Sequence, residues 1–423
     1  MAAFAVFWIL LLIGVPIFGV LLGTSLTGLA LYSSANLLVI PQQFYNGVNQ
    51  QTLLAIPFFI VAGTLASRGK TSEYLVKAMC LVFGRIRGGA VIAAIAACAF
   101  FAAISGSSMA TVVAVGGIII PALKDSDYPE KLTVGSICSG GSLGILIPPS
   151  APMVMFCVAM ECSVGRMFMA GFVPGVLLAI AWALYVYFYC RKHKCGSPMK
   201  FSTAEKKKIL VGAIPAIIFP LIVLGSIYTG WATPTEAAAI SVVYVMLVET
   251  FIYKTVKFKD FAKQFYESLT SSATLLAIIA TASLLSYFIT MKRIPDMVVA
   301  FIDGFVSHGT VLLLMVLIFL FIAGCFVDTI SLIVVLAPIL VPVLKSYGID
   351  LIFFGILAIL CSQIGYISPP FGTNLFVTMR VANKSFGFVS KSIVPFILII
   401  LAFTLLIALV PEVVLWLPST MMG

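Results

Sequence analysis

The chain has 423 residues, of which 62% are hydrophobic and 9% are charged. Soluble domains carry about 25% charged residues, so this composition excludes a water-soluble globular protein and indicates an integral membrane protein. The formal net charge is +10. Because basic residues accumulate on the cytoplasmic side of membrane proteins, this charge indicates membrane topology, and we expect no nucleic-acid partner.

Apolar runs of about 20 residues predict helices that cross the lipid bilayer, not the alternating strands of a membrane barrel. The first run has no basic start and is too long for a signal peptide, so it predicts the first membrane helix. Three stretches are too polar to span and predict interfacial amphipathic helices at 36–50, 256–268 and 292–307. The apolar spans lie near 4–31, 52–67, 90–123, 131–163, 167–190, 209–228, 235–253, 270–290, 310–344, 351–379 and 388–412.

Two of these spans, 90–123 and 310–344, have the wrong length for one crossing. As straight helices they would each reach about 50 Å, whereas the hydrocarbon core is about 30 Å thick. Each span therefore predicts a re-entrant hairpin that enters and leaves on the same side. The turns are expected at 105–108, which reads Ser-Gly-Ser-Ser, and near 325–329, which reads Cys-Phe-Val-Asp-Thr.

One apolar pattern occurs twice, and each copy is broken by a Pro-Pro pair. Pro148 lies in the segment 144–150, and Pro369 lies 221 residues later (369 − 148) in the segment 365–372. Such a duplication is typical of secondary transporters built from inverted repeats. We therefore predict an all-α polytopic membrane protein with two inverted repeats, each containing a re-entrant hairpin and a broken helix. The predicted divisions are 1–170, the connecting region 171–225 with a basic linker at 191–208, and 226–423.

The distribution of basic residues predicts the orientation. With both hairpins re-entrant, 21 of the 25 Lys and Arg residues fall in loops on one side, which the positive-inside rule makes cytoplasmic. The resulting topology has nine crossings, a cytoplasmic N-terminus and a periplasmic C-terminus. The loops concerned are 68–87, 124–131, 191–208, 254–263 and 380–391.

The breaks and hairpin turns carry the candidate chemistry. A broken helix leaves main-chain groups without partners, which a membrane protein tolerates only where they are buried in protein or line a cavity. Freed carbonyls and nearby hydroxyls can hold Na⁺, and the alternative interpretation is that these small residues serve helix packing. The first predicted Na⁺ site contains Ser105, Ser107, Ser108, Gly144, Ile147, Pro148 and Ser150. The second contains Cys325, Asp328, Thr329, Gly365, Ile367, Pro369 and Thr373.

Asp328 is the only acidic residue within the apolar stretch 304–349. A charge at the bilayer centre costs about 2.5–3.5 kcal/mol even on the lenient insertion scale, so Asp328 must face a cation, a partner or water. Two interpretations follow. The residue contributes to a Na⁺ or proton site or forms a polar clamp at the hairpin tip, or it is a helix cap close to the aqueous face.

Five segments together resemble the large membrane subunit of tripartite ATP-independent periplasmic (TRAP) transporters, and the resemblance extends over nearly the whole chain. They read Leu-Leu-Ala-Ile-Pro-Phe-Phe, Ser-Gly-Ser-Ser, Ile-Leu-Ile-Pro-Pro-Ser, Thr-Pro-Thr-Glu-Ala-Ala-Ala and Gly-Tyr-Ile-Ser-Pro-Pro-Phe-Gly, at 53–59, 105–108, 145–150, 233–239 and 365–372.

This resemblance implies Na⁺-driven import of an organic acid, sialic acid or a C4-dicarboxylate, by an elevator movement in a bacterial inner membrane. It also implies two partners, a separate small four-helix membrane subunit and a soluble periplasmic substrate-binding protein. The family's site residues correspond here to the hairpin tips and broken helices. The organic acid would then contact Ser107, Ser108, Asp328, Thr329, Pro149, Pro370 and Asn374.

Other function classes fit the sequence less well. A stand-alone Na⁺/carboxylate symporter and a passive channel could both use the same repeats. The chain has two histidines and no G-x-x-x-x-G-K-[ST] loop, which disfavours a membrane enzyme and ATP hydrolysis of that type.

Overall fold

The computed structural model describes residues 2–33, 36–124, 126–199, 201–256, 258–306 and 308–422, and all regular structure within them is helical. Lys200 and Lys257, which were counted in the predicted cytoplasmic loops, and Ser307, at the end of a predicted polar stretch, lie outside these residues. Short 3-10 helices cover Gln51–Leu54 and Leu143–Ile145, and a π-helical turn covers Val248–Ile252.

The α-helices are α1 (Ala2–Leu12), α2 (Ile17–Tyr32), α3 (Val39–Val48), α4 (Ala55–Arg68), α5 (Lys70–Phe83), α6 (Gly89–Ser105), α7 (Ser108–Leu123), α8 (Glu130–Ser142), α9 (Ala151–Met160), α10 (Val164–His193), α11 (Thr203–Tyr228), α12 (Pro234–Leu247), α13 (Phe258–Met291), α14 (Ile294–Asp303), α15 (Gly309–Gly324), α16 (Thr329–Ser346), α17 (Leu351–Ile367), α18 (Thr373–Ala382), α19 (Phe386–Ser392), α20 (Val394–Leu409) and α21 (Glu412–Met422).

Several helices have the length and apolar composition of membrane spans. Among the described residues six qualify, and a seventh qualifies if α19 and α20, which meet at 46°, count as one bent span. The chain is therefore a multi-pass membrane protein, while the nine crossings and their orientation stay predictions. The six are Gln51–Arg68, Val164–His193, Thr203–Tyr228, Pro234–Ile252, Asp260–Met291 and Thr329–Ser346.

Both predicted hairpin turns are confirmed. Helix α6 ends at Ser105 and α7 begins at Ser108, while α15 ends at Gly324 and α16 begins at Thr329. The first turn requires a left-handed residue, and Gly106 supplies it with φ +58°. The arms of the first hairpin pack along each other, whereas in the second α15 packs mainly along α17 and α16 along α9.

The two halves share one internal spacing. Thr329 at the start of α16 follows Ser108 at the start of α7 by 221 residues (329 − 108). Leu351 at the start of α17 follows Glu130 at the start of α8 by the same number (351 − 130). The duplication and both helix breaks are thus present in the structure, whereas the divisions 1–170, 171–225 and 226–423 stay predictions.

The predicted first membrane helix, 4–31, is wrong as a single helix. The segment folds into two antiparallel helices, so that the Ala2 backbone nitrogen donates to the Tyr32 hydroxyl at 3.1 Å. The turn falls where Gly14 adopts φ +81° and Pro16 follows. Glycine permits this conformation, and proline has no backbone N–H to donate to a helical hydrogen bond. Because both residues lie inside an uninterrupted apolar run, the sequence gives no clear signal of the turn.

The polar stretch 256–268 is also not a separate element. Its helical part belongs to α13, which continues without a break through Met291. The 34 residues of α13 span about 51 Å, which exceeds the thickness of the bilayer core. The polar end of α13 therefore extends beyond the bilayer core. The stretches 36–50 and 292–307 do contain separate short helices, α3 and α14.

The basic linker between the halves is tied to the turn between α5 and α6. The Gly88 backbone nitrogen donates to the Gly196 oxygen at 3.2 Å, and the Met199 nitrogen donates to the Gly84 oxygen at 2.7 Å. Asp127 accepts from the Ser197 hydroxyl at 2.8 Å and from the Ser197 backbone nitrogen. These hydrogen bonds hold the pKa of the Asp127 carboxyl below its usual value. The bond from the Ser197 hydroxyl contributes most, followed by the bond from the Ser197 backbone nitrogen.

Candidate functional site

Residues 105–108, the first tip, close onto residues 144–150, the first break. At the tip the Ser105 and Thr111 hydroxyls lie 3.1 Å apart, and the Thr111 hydroxyl donates to the Ser107 carbonyl at 2.8 Å. The Ser107 side chain also caps α7 by accepting from the Ala110 nitrogen at 3.4 Å. The tip therefore concentrates hydroxyl and carbonyl oxygens in one place.

Two glycines allow the first tip and the first break to touch through their main chains. A Cβ on Gly144 would lie 2.6 Å from the Ser107 oxygen, and one on Gly106 would lie 2.7 Å from the Pro149 oxygen. In the break itself, the Ser150 hydroxyl donates to the Ile145 oxygen at 2.8 Å. The structure thus brings the tip together with the predicted break residues.

The other predicted members of the first site are placed differently. The Ile147 side chain packs against Gly175 of α10, where an added Cβ would lie 2.5 Å away. Ile147 can therefore offer only its carbonyl to an ion. Pro148 lies in a break that is buried throughout.

Residues 325–329, the second tip, lie beside residues 365–372, the second break. A Cβ on Gly365 would lie 2.2 Å from the Gly324 oxygen at the end of α15, so this approach is also main chain against main chain. The Thr373 hydroxyl oxygen is buried without a hydrogen-bond partner. A buried oxygen in this state is available to an ion or an ordered water.

Asp328 is exposed and caps α16. Its carboxylate accepts from the Ser331 nitrogen at 3.0 Å and from the Ser331 hydroxyl at 2.6 Å. This geometry agrees with the predicted helix cap, while the predicted ion or substrate role remains a prediction. Thr329, the next residue, is buried, and the Cys325 thiol donates to the Phe321 oxygen of α15 at 3.4 Å.

The two breaks differ in exposure. Residues 144–150 are buried, whereas Pro369, Pro370 and Phe371 are exposed and Ile367 is buried. Phe371 lies beside Phe326 of the second tip, with ring centroids 6.2 Å apart. The first site is therefore enclosed by protein, and the second opens to the surface.

Buried amides join the two halves between these sites. Asn374, at the start of α18, is fully buried; its oxygen accepts from the Ser108 hydroxyl at 2.8 Å and its nitrogen donates to the Cys138 oxygen at 3.1 Å. The Gln363 amide donates to the Ser142 hydroxyl at 2.9 Å. These last two residues are 221 positions apart, so the bond joins equivalent points of the two repeats. The structure thus places Asn374 in an internal bridge.

The bridge can be tested by a double-mutant cycle. Ser108→Ala should destabilise the protein by about 1–2 kcal/mol, because it leaves the buried Asn374 oxygen without a donor. Adding Asn374→Leu should cost less than the sum of the single changes, with a coupling of about 1 kcal/mol. Thermal unfolding of the purified protein measures these values.

Ser241→Ala is the matched control for this cycle. Ser241 is equally buried, but its hydroxyl donates within its own helix to the Ala237 oxygen at 2.7 Å. Its effect should add to that of Asn374→Leu. Equal coupling for Ser108 and Ser241 would contradict the bridge.

Sequence reasoning missed Gln363, Ser142 and Glu249. The first two could have been found by applying the 221-residue offset to polar residues as well as to prolines. Glu249 could have been found as an acid within the apolar span 235–253, by the argument applied to Asp328. Among the described residues, no three His, Cys, Asp or Glu side chains are grouped as metal ligands.

A family model described as "Tripartite ATP-independent periplasmic transporter, DctM component" matches residues 4–413. The chain belongs to this family. It is 39% identical over 368 residues to the C4-dicarboxylate TRAP transporter large permease protein DctM of Pseudomonas aeruginosa, covering 87% of this chain and 86% of that protein. It is 31% identical over 414 residues to the sialic acid TRAP transporter large permease protein SiaM of Vibrio cholerae, covering 98% and 97%.

The fold is similar to that of a solved transporter. The crystal structure of the Alcanivorax borkumensis YdaH transporter superposes with a TM-score of 0.66 at 14% identity, covering 96% of this chain and 97% of that one. At this identity the similarity shows the fold alone. The resemblance to TRAP large membrane subunits and the all-α repeated fold are therefore confirmed, and the named relatives are transporter permeases.

Proposed function

We propose that this chain is the large membrane subunit of a Na⁺-coupled transporter that imports an organic acid by an elevator movement. The observation that carries the proposal is the repeated closure of a hairpin tip onto a Pro-Pro break through glycine contacts, at Gly144 in one half and Gly365 in the other. Interrupted helices paired in this way are typical of ion and substrate sites in secondary transporters.

The donor types support Na⁺ as the coupling ion. The first tip offers the Ser105 and Thr111 hydroxyls beside the Ser107 carbonyl. The second break offers the unpartnered Thr373 hydroxyl. Hydroxyls and freed carbonyls are the ligands that broken membrane helices provide to Na⁺.

Four helix N-termini support an anionic substrate. Helices α7 and α16 begin at the tips, and α9 and α18 begin at the breaks. Each N-terminus carries a partial positive charge, and its first-turn backbone N–H groups have no partner within the helix, which favours a carboxylate. Side-chain caps already take the Ala110 nitrogen in α7 and the Ser331 nitrogen in α16. The named relatives transport C4-dicarboxylates and sialic acid, and both substrates carry carboxylates. We propose an organic acid of these classes, delivered by a periplasmic binding protein to a complex with a small membrane subunit.

Uptake into proteoliposomes tests this function. We expect saturable uptake of a C4-dicarboxylate or of sialic acid that requires the binding protein and is lost when choline replaces Na⁺. Equal uptake in choline would contradict the coupling. A flux that does not saturate and shows no counterflow would indicate a channel.

Asp328→Asn tests the second site in the same assay. Asparagine also caps helices, so the protein should stay folded, while the Na⁺ concentration for half-maximal uptake should rise about tenfold. Asp350→Asn is the matched control, because Asp350 caps α17 in the same way through the Phe353 nitrogen at 2.8 Å. An equal Na⁺ response in both variants would exclude Asp328 from the site.

A further inference from the structure

An apolar groove of about 530 Å³ runs between α6 and α10. Its walls include Phe100 of α6 and Ile180 and Leu184 of α10, which are 39%, 48% and 50% exposed. A second apolar groove of about 520 Å³ shares Phe100 and Val176 with the first and continues to α11. In a membrane protein, an exposed apolar groove of this kind can hold the hydrocarbon chains of a lipid.

Basic side chains surround one end of the first groove. Ile86 lines the groove, and its neighbours Arg85 and Arg87 are both exposed. On α10 the lining ends at Tyr187, and Arg191 follows four positions later on the same helix face. Lys194, the C-cap of α10, is exposed and lies one further turn along.

The fold holds these two basic segments together. A Cβ on Gly88 would lie 3.1 Å from the Cys190 Sγ, so the turn between α5 and α6 packs directly on the last turn of α10. The Gly88–Gly196 backbone bond fixes the same contact from the linker side. Arg85, Arg87, Arg191 and Lys194 therefore belong to two segments that pack against each other, and we call these four residues the basic rim.

Among the residues that the structure describes, no ion pair neutralises the basic rim. Within the described ranges, ion pairs join Arg68 to Glu267, Lys77 to Glu73 and Lys384 to Glu130, and none involves the rim. Asp127, whose loop contacts the same linker, accepts its hydrogen bonds from Ser197. The rim thus keeps its positive charge at the mouth of an apolar groove.

We propose that the groove and the basic rim form a binding site for an anionic phospholipid. The acyl chains would lie along α6 and α10, and the phosphate would contact the rim. Basic pockets between membrane helices on the cytoplasmic side are suited to anionic head groups, and the positive-inside rule places the rim on that side. A free phosphate would use only the rim, and a helix of a partner subunit would use only the groove.

Native mass spectrometry of the full chain in detergent tests the proposal, with phosphatidylglycerol and phosphatidylcholine as probes. Phosphatidylglycerol, which is anionic, should bind more tightly than phosphatidylcholine. Each basic side chain near an anionic lipid adds to affinity, so Arg85→Gln/Arg87→Gln/Arg191→Gln should weaken phosphatidylglycerol binding about a hundredfold. Ala183→Trp fills the groove and leaves the basic rim intact, so it should weaken the binding of both lipids.

The control is Lys206→Gln/Lys207→Gln/Lys208→Gln, which removes three charges from the same predicted side but outside both grooves. It should keep phosphatidylglycerol affinity within about twofold, because rim contacts are lost only in the first variant. An equal loss in both triple variants would show general surface attraction and overturn the site. Displacement of the lipid by inorganic phosphate, or no lipid binding once the small membrane subunit is bound, would also overturn it.

Discussion

Gly365→Val and Gly144→Val should each lower substrate uptake at least tenfold. The added side chain begins at a Cβ that would lie 2.2 Å from the Gly324 oxygen in one half and 2.6 Å from the Ser107 oxygen in the other. Both obstacles are main-chain atoms, which cannot move aside as a side chain can. The tip must therefore shift away from the break, and a displaced ligand shell loses affinity when its geometry changes by about 0.5 Å.

Two measurements separate this effect from a failure to fold. Size-exclusion profile and thermal unfolding report the folded state, and the Na⁺-dependent increase in unfolding temperature reports ion binding. Gly117→Ala is the control, because Gly117 lies in the same hairpin and an added Cβ would meet no atom within 4 Å. It should retain uptake and Na⁺ stabilisation. Normal uptake in both valine variants would mean that the tips need not approach the breaks.

The hairpins and broken helices could be predicted because their signals are local and repeated. A span too long for one crossing requires a turn, and Pro-Pro removes two consecutive helix donors. The offset of 221 then identified both copies, and α16 and α17 begin at this offset from α7 and α8. Length, proline and repetition are all visible in a sequence without knowledge of packing.

The remaining features depend on contacts between distant segments. The turn at Gly14 looks like any glycine within an apolar run, and its antiparallel packing is visible only in the fold. The exposure of Asp328 depends on where the second tip lies relative to its neighbours. The Asn374 bridge joins residues 266 positions apart. Hydrophobic periodicity cannot specify such pairs, because each partner is one polar residue in an apolar helix.

Glu249 occupies a buried position that supports a helix from another part of the chain. It lies in the π-helical turn after α12 and is fully buried. Its Oε1 accepts from the Thr71 nitrogen at 2.9 Å and the Thr71 hydroxyl at 2.6 Å, and its Oε2 accepts from the Lys70 nitrogen at 3.1 Å and from the Thr255 hydroxyl. Both backbone donors belong to the first turn of α5, whose N–H groups have no partner within their own helix.

Glu249→Gln should lower the free energy of unfolding by about 3 kcal/mol, although it is almost isosteric. Each carboxylate oxygen faces a backbone N–H, from Thr71 on one side and Lys70 on the other. A glutamine NH₂ must therefore point at a backbone donor in either orientation. The hydroxyls can rotate to accept, but the backbone N–H groups cannot.

Thermal or denaturant unfolding of the purified variant measures this loss. Glu73→Gln is the control: Glu73 also lies in the first turn of α5, but its ion pair with Lys77 is exposed, so its removal should cost less than about 0.5 kcal/mol. Gly69→Ala should imitate Glu249→Gln, because its Cβ would lie 2.0 Å from the Glu249 Cδ and push the carboxylate off the helix. Equal stability of the Glu249 and Glu73 variants would mean that α5 does not depend on this distant cap.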